Sequence, residues 1–231
     1  MTEKQDFDKD YLQRKQELSK RFGIDFDKLE KEQSKLAKEL QIKDKIDFKL
    51  ADKFGGIDNT FINNKILSCI IVCNKDFEII DRAYVFERVG FPYLPGFRSY
   101  RELPAMIKAF EKLNEKPDVI FISGQGILHS RLGLASHFGL STDTPSIGVS
   151  NSYSQCEIKQ EDILRNDKKI GKVLISKQES NPMYISPGNL ITINSAYELS
   201  KAMIKLPHKR PEPLHLASKY AREVRKELDL K

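Results

Sequence analysis

Between Asp118 and Val149 the chain reads as a short apolar segment (Asp118–Ile122), a turn at Gly124-Gln125-Gly126, a helical stretch over Leu132–Leu140, and a second short apolar segment (Ser146–Val149). Continuous apolar runs of this length belong to strands covered on both faces. Strand, glycine turn, helix and strand form a crossover unit, which commits the two strands to parallel places in one sheet. That unit alone sets the class as α/β.

The remaining segments extend the sheet. Residues 54–61, 66–73 and 77–89 are rich in Ile, Val and Phe, and Asn63-Asn64-Lys65 and Asn74-Lys75-Asp76 lie between them, so an antiparallel meander is expected. The sheet is therefore mixed. A helix is expected over Leu103–Asn114, opening on Pro104, where a missing N–H is tolerated. Short β pieces are expected at Lys172–Ser176, Met183–Ser186 and Leu190–Thr192. A helix capped by Ser195 follows over Ala196–Lys205, then a proline-rich linker (Pro207–Pro213) and a terminal helix from Leu214.

Residues 1–49 have the texture of a helical N-terminal extension: no proline, one glycine, and dense Lys, Glu, Gln and Leu. Two helices broken near Phe22-Gly23 are expected; Leu29, Leu36 and Leu40 recur at spacings of seven and four, with Leu36 and Leu40 on one packing face. Residues 50–231 form the single main domain.

Composition excludes several alternatives. Hydrophobic residues at 39% and charged residues at 31% support a packed core rather than disorder. The longest apolar run, Ile66–Cys73, has strand length, and no membrane association is expected. The polar start, Met1-Thr-Glu-Lys-Gln-Asp6, lacks an apolar signal segment. Three cysteines (Cys69, Cys73, Cys156) without a Cys-x-x-Cys pair point to a reducing, cytoplasmic setting rather than to disulfides or structural zinc. A monomer is expected.

Charge is unevenly placed. Residues 201–231 hold 9 of the 39 basic side chains and only 4 of the 33 acidic ones. Lys201, Lys205, Lys209, Arg210, Lys219, Arg222, Arg225 and Lys226 suit a phosphate backbone, although such blocks also occur as plain solvated helix faces.

Longer motifs narrow the reading. Phe91-Pro-Tyr-Leu-Pro-Gly-Phe-Arg-Ser-Tyr-Arg-Glu102, Lys116-Pro-Asp-Val-Ile-Phe-Ile-Ser-Gly-Gln-Gly126, Leu132-Gly-Leu-Ala-Ser-His-Phe-Gly139, Pro145-Ser-Ile-Gly-Val149, Ile185-Ser-Pro-Gly188 and Arg210-Pro-Glu-Pro213 occur in this order. Over about residues 50–228 the chain resembles the endonuclease V family. The resemblance implies a ribonuclease H-like fold: a mixed β-sheet flanked by helices. It also implies Mg²⁺- or Mn²⁺-dependent hydrolysis of a phosphodiester bond 3′ of a deaminated purine, inosine, in DNA or RNA.

By the same resemblance Asp58 and Glu102 are the catalytic, metal-binding acids. Read alone, Asp58 is a strand-edge residue and Glu102 a first-turn helix acid. Pro92, Tyr93, Leu94 and Pro95 match the family's wedge, with Tyr93 and Leu94 apolar enough to enter a base stack. Gly96, Gly124, Gln125, Gly126 and Gly133 match the lining of the flipped-base pocket.

Three positions depart from the pattern. The third metal-carboxylate position is Ser123, a neutral oxygen that cannot draw Mg²⁺ from its hydration shell. A lysine expected near the reacting phosphate is Asn151, and a histidine of the last helix is Ser218, with His215 three residues earlier. The expected consequence is weak or lost metal binding, and impaired or absent cleavage by a protein that still recognises inosine-containing nucleic acid. The alternative implied by the same motifs is an active nuclease that tolerates the changes.

Overall fold

The computed structural model describes residues 3–177 and 180–229. Two helices open the chain, α1 (Glu3–Phe22) and α2 (Phe26–Leu36), and Gly23 sits between them at φ +66°, as the sequence indicates. The sheet has nine strands: β1 (Phe54–Ile62), β2 (Lys65–Cys73), β3 (Ile79–Arg88), β4 (Val119–Ser123), β5 (Ser146–Ser150), β6 (Glu157–Lys159), β7 (Asp162–Arg165), β8 (Lys168–Leu174) and β9 (Met183–Asn189). The other helices are α3 (Arg98–Glu111), α4 (Leu134–Thr142), α5 (Ile193–Ala202) and α6 (Glu212–Glu227).

Strand order is β3-β2-β1-β4-β5-β9-β8-β7-β6. The meander β1–β3 is antiparallel, and β4 runs parallel to both β1 and β5, as the crossover requires. Alternation explains the central run of apolar residues. In β2, Leu67, Cys69, Ile71 and Cys73 face α6, while Ile66, Ile70 and Val72 face α3 and α4. In β4, Val119 and Phe121 join the first layer and Ile120 and Ile122 the second. Both faces are buried, so no polar face is available and the sequence reads as unbroken hydrophobicity.

Several expected boundaries are corrected. The third helix begins at Arg98, not Leu103, so Pro104 lies inside it. An interior proline costs about 3 kcal/mol through its lost hydrogen bond and ring clash. Burial of Leu103, Ala105, Met106 and Ala109 against the sheet offsets that cost. Leu190–Thr192 is not a strand: Leu190 takes φ +58° and ends the ladder, and Thr192, not Ser195, caps α5 by accepting the Ser195 N–H at 3.2 Å. The terminal helix begins at Glu212, so Glu212-Pro213 is its first turn rather than a linker. The β6–β7 hairpin lies in residues the sequence left unassigned.

The N-terminal helices pack on the main sheet's loops. Phe26 of α2, Leu94 and Phe97 form a small separate core bordered by Phe91 and Tyr100. No helix among the described residues is long and apolar enough to cross a membrane.

Candidate nucleic-acid site

β1 pairs with β4 only as far as Ile57–Ile122, so Asp58 and Ser123 follow the point where pairing ends and a notch opens in the sheet. Asp58 shares the face of Phe54 and meets α6. Gly56 permits this approach, because a Cβ there would stand 2.1 Å from the Pro213 carbonyl oxygen. Asn59 shares the other face and reaches α3, donating from Nδ2 to Glu102 Oε2 at 2.8 Å.

The two acids are engaged differently. Burial pushes the Asp58 carboxyl above the usual carboxylate range, opposed by the Arg210 guanidinium, a hydrogen bond from the Ser218 hydroxyl and the charge of Arg222, with Glu102 adding to the rise. Arg210 Nη2 in turn donates to Ser218 Oγ at 2.6 Å. Ser218 therefore links Arg210 to Asp58 and stands in the notch as a neutral group. Glu102 is 3% exposed, and its two oxygens are held by Arg98 through Nε to Oε1 and Nη2 to Oε2, the latter at 3.0 Å. This fork is the bidentate guanidinium–carboxylate pair, a strong and oriented contact. Arg98 also lies against Gly124, 3.4 Å from the place of a Cβ there, so it covers the turn that follows Ser123.

Beside the notch is a cavity of about 350 Å³ lined by Tyr93, Pro95, Gly96, Arg98, Ser99, Gly124, Gln125, His129, Leu132, Leu134, Ser150, Ser152 and Ser154. It brings together five of the residues singled out from sequence: Tyr93, Pro95, Gly96, Gly124 and Gln125. Gly96 has φ +86°, a backbone conformation that strains any residue carrying a Cβ, so the position favours glycine. Gln125 Nε2 donates to the Ser152 carbonyl at 3.1 Å and ties the two sides together.

Other expected pocket residues lie elsewhere. Leu94 is 1% exposed and packs with Phe26 and Phe97, so it anchors the loop and is not available to a base stack. Tyr93, 53% exposed, is the apolar tip that remains. Gly126 and Gly133 do not line the cavity. They sit behind it, where a Cβ would meet the Pro187 carbonyl oxygen at 2.0 Å and the Gln125 carbonyl oxygen at 2.1 Å. Asn151 is exposed at the end of β5.

Sequence reasoning missed Arg98, His129 and the serines of Ser150–Ser154, whose density after a buried strand was the available signal. His129 accepts the Arg131 backbone N–H at Nδ1 (3.1 Å), and burial with the charges of Arg131 and Arg165 drives its pKa down to about 4. The ring is thus neutral with its proton on Nε2.

The N-terminal helices hold this rim. Gln33 of α2, fully buried, donates to the Gly96 carbonyl at 3.0 Å and accepts from Arg131 Nε at 2.7 Å. Tyr11 and Arg14 of α1 donate to the carbonyls of Pro95 and Tyr93 at 3.3 and 3.4 Å.

A mixed sheet with acids converging where β1 and β4 part, flanked by helices on both faces, defines the ribonuclease H-like nuclease fold. The family model for endonuclease V matches residues 34–219. The chain belongs to the endonuclease V family. It is 38% identical over 184 residues to endonuclease V of Thermosipho melanesiensis, covering 76% of this chain and 81% of that one. Among solved structures, endonuclease V of Bacillus subtilis superposes with a TM-score of 0.82 at 25% identity, covering 89% and 94% of the two chains. That of Ciona intestinalis, in complex with a 23mer DNA containing an inosine followed by a ribo-adenosine, superposes at 0.78 and 20% identity, covering 88% and 98%.

The family is one of metal-dependent nucleases, but the donors present here do not fit a pair of hard divalent ions. Such ions take several charged oxygens. Glu102 has both oxygens committed to a guanidinium, Ser123 supplies no charge, and Asp58 is bound to a hydroxyl next to two arginines.

Proposed function

We propose that this chain recognises a deaminated purine, inosine, in DNA or RNA, and that its phosphodiester cleavage is impaired or lost. The observation that carries the second half is the double grip of Arg98 on Glu102, which puts a guanidinium where the family's chemistry calls for a carboxylate open to metal.

Recognition is supported by the cavity and its rim. Its volume falls at the small end of ligand sites and suits a single nucleoside. Tyr93 supplies a face to fill the gap left by a departing base, which favours the flipped state. Within the cavity the Nε2–H of neutral His129 and the amide of Gln125 offer hydrogen bonds to a base edge. Hypoxanthine presents a carbonyl acceptor where adenine presents an amine donor, so a fixed imidazole donor discriminates between them. Arg210 and Arg222 beside Asp58 supply positive charge for backbone phosphates at the notch. The Ciona intestinalis complex gives this reading its precedent within the family.

Retained cleavage is the second reading, favoured by the presence of both Asp58 and Glu102 at the notch. Fluorescence anisotropy with matched oligonucleotides containing inosine or adenosine, at one stated salt concentration, tests recognition. The proposal expects tighter binding of the inosine strand. Equal affinity would reject recognition of the base.

A further inference from the structure

A second group of metal-competent side chains lies on the strap that leads into α6, and it shares no residue with Asp58, Glu102 and Ser123. His208, Glu212 and His215 each offer a ligand atom, and these atoms all lie within 4.8 Å of one another. Glu212 and His215 are three residues apart and share a face of α6. His208 is brought to that face by the preceding turn, which is tied down by the Glu212 N–H to the Met203 carbonyl (2.7 Å) and by a bridge between Ile204 and Pro211. His208 Nδ1 is 2.7 Å from Glu212 Oε2, and the two imidazoles stack with centroids 3.5 Å apart and planes 15° from parallel.

We propose that His208, Glu212 and His215 bind one transition-metal ion of the zinc class, which clasps the strap to the first turn of α6. Two imidazoles and one carboxylate form the donor set such ions take, with a fourth position open to water, whereas Mg²⁺ requires an octahedron of oxygens. The three ligand atoms lie within 4.8 Å of one another, against roughly 3.3–3.4 Å between two nitrogens held tetrahedrally at a Zn–N distance of about 2.0–2.1 Å, so the two imidazoles need only a small shift to meet one ion.

Their near-parallel planes mean that one ring turns to direct both lone pairs at a common point. His208, on the strap with its side chain 32% exposed, is free to do so, while the Glu212 side chain, 5% exposed, supplies fixed negative charge. The neighbouring cation Arg210 donates to Ser218, a turn further along α6, rather than to a member of the cluster. The consequence is structural. The same helix presents Ser218 to Asp58, so an ion at its first turn fixes the helix that faces the notch.

The test uses the full chain, freed of metal by chelation and then titrated with Zn²⁺, Co²⁺ or Mg²⁺, with binding read by calorimetry and melting by circular dichroism. The proposal expects one Zn²⁺ per chain, a rise in Tm with Zn²⁺ but not with Mg²⁺, and the visible absorption of tetrahedral Co²⁺. His208→Asn and His215→Asn, checked for native far-UV spectra, are expected to weaken Zn²⁺ binding by about 100-fold or more, since even supporting groups account for 10–100-fold. Asp58→Ala is expected to leave it unchanged. No Zn²⁺ binding, or equal binding by the two histidine variants, would overturn the site and reduce the cluster to a histidine–carboxylate pair at a helix start. Loss of Zn²⁺ in Asp58→Ala would relocate the ion to the notch and equally overturn it. None of these outcomes depends on whether the chain prefers inosine.

Discussion

Arg98 and Glu102, one helical turn apart on α3, form a two-point guanidinium–carboxylate pair at the mouth of the notch, and the carboxylate is almost wholly buried. The charge of Glu102 is therefore neutralised from within the chain.

Removing that partner exposes the consequence. Arg98→Leu leaves Glu102 as a buried charge held by Asn59 alone. Because Arg98 is itself partly exposed, the expected loss is about 1–3 kcal/mol in metal-free buffer. Mn²⁺ should restore part of the lost Tm in the variant and have little effect on the parent chain. Identical melting curves with and without Mn²⁺ in both proteins would show that Arg98 is not what keeps metal from Glu102.

Tyr93 and Leu94 are neighbours with opposite roles. Tyr93→Ala should weaken binding to an inosine oligonucleotide by roughly 5- to 150-fold, the range of about 1–3 kcal/mol for one lost base stack, with Tm nearly unchanged. Leu94→Ala should instead cost about 2–5 kcal/mol of stability as a buried truncation. A Leu94→Ala protein of normal Tm and reduced affinity would return Leu94 to the wedge.

Much of the fold was legible, for a physical reason. The central strands β2 and β4 are buried on both faces, so their apolar runs and the glycine turn between β4 and α4 announce them. The β6–β7 hairpin was not legible because β6, with Glu157, Ile158 and Lys159 all exposed, buries nothing and has no hydrophobic period to read. The Arg98 grip was hidden by one boundary. With α3 taken to begin at Leu103, Arg98 and Glu102 do not share a helix, and their i,i+4 relationship disappears. The same applies to Glu212 and His215, separated when Glu212 was read as linker. Asp58, Glu102 and the departures at Ser123, Asn151 and Ser218 were visible only through the motif match, since no local pattern distinguishes them from edge and capping residues.

His129 makes stability depend on pH. Its pKa is about 4 in the fold against 6.5 unfolded, so below 6.5 the unfolded chain binds the extra proton. Its contribution is fully present above pH 6.5 and is lost as pH falls toward 4, by up to about 3 kcal/mol. His129→Gln should flatten that part of the profile in urea titrations at stepped pH. An unchanged slope would assign the loss to other groups, including His137, whose pKa burial also lowers.

Gln33 couples the N-terminal helices to the pocket rim. Gln33→Ala leaves Arg131 Nε without its partner and the Gly96 carbonyl with only the longer contact from Arg131 Nη2 at 3.4 Å, at an expected cost of about 1–3 kcal/mol, and should reduce inosine affinity with it. Hydrogen exchange should quicken across residues 93–97. Exchange unchanged there would mean that the loop is held by its aromatic core alone.

The most direct measurement is incubation of the purified chain with a 5′-labelled oligonucleotide carrying one inosine, with Mg²⁺ or Mn²⁺, resolved on parallel native and denaturing gels. The account predicts an inosine-preferring shift with little or no nick, and a nick 3′ of inosine emerging once Arg98→Leu and Ser123→Asp are combined. Efficient nicking by the parent chain with Mg²⁺, abolished in Asp58→Ala, would contradict it.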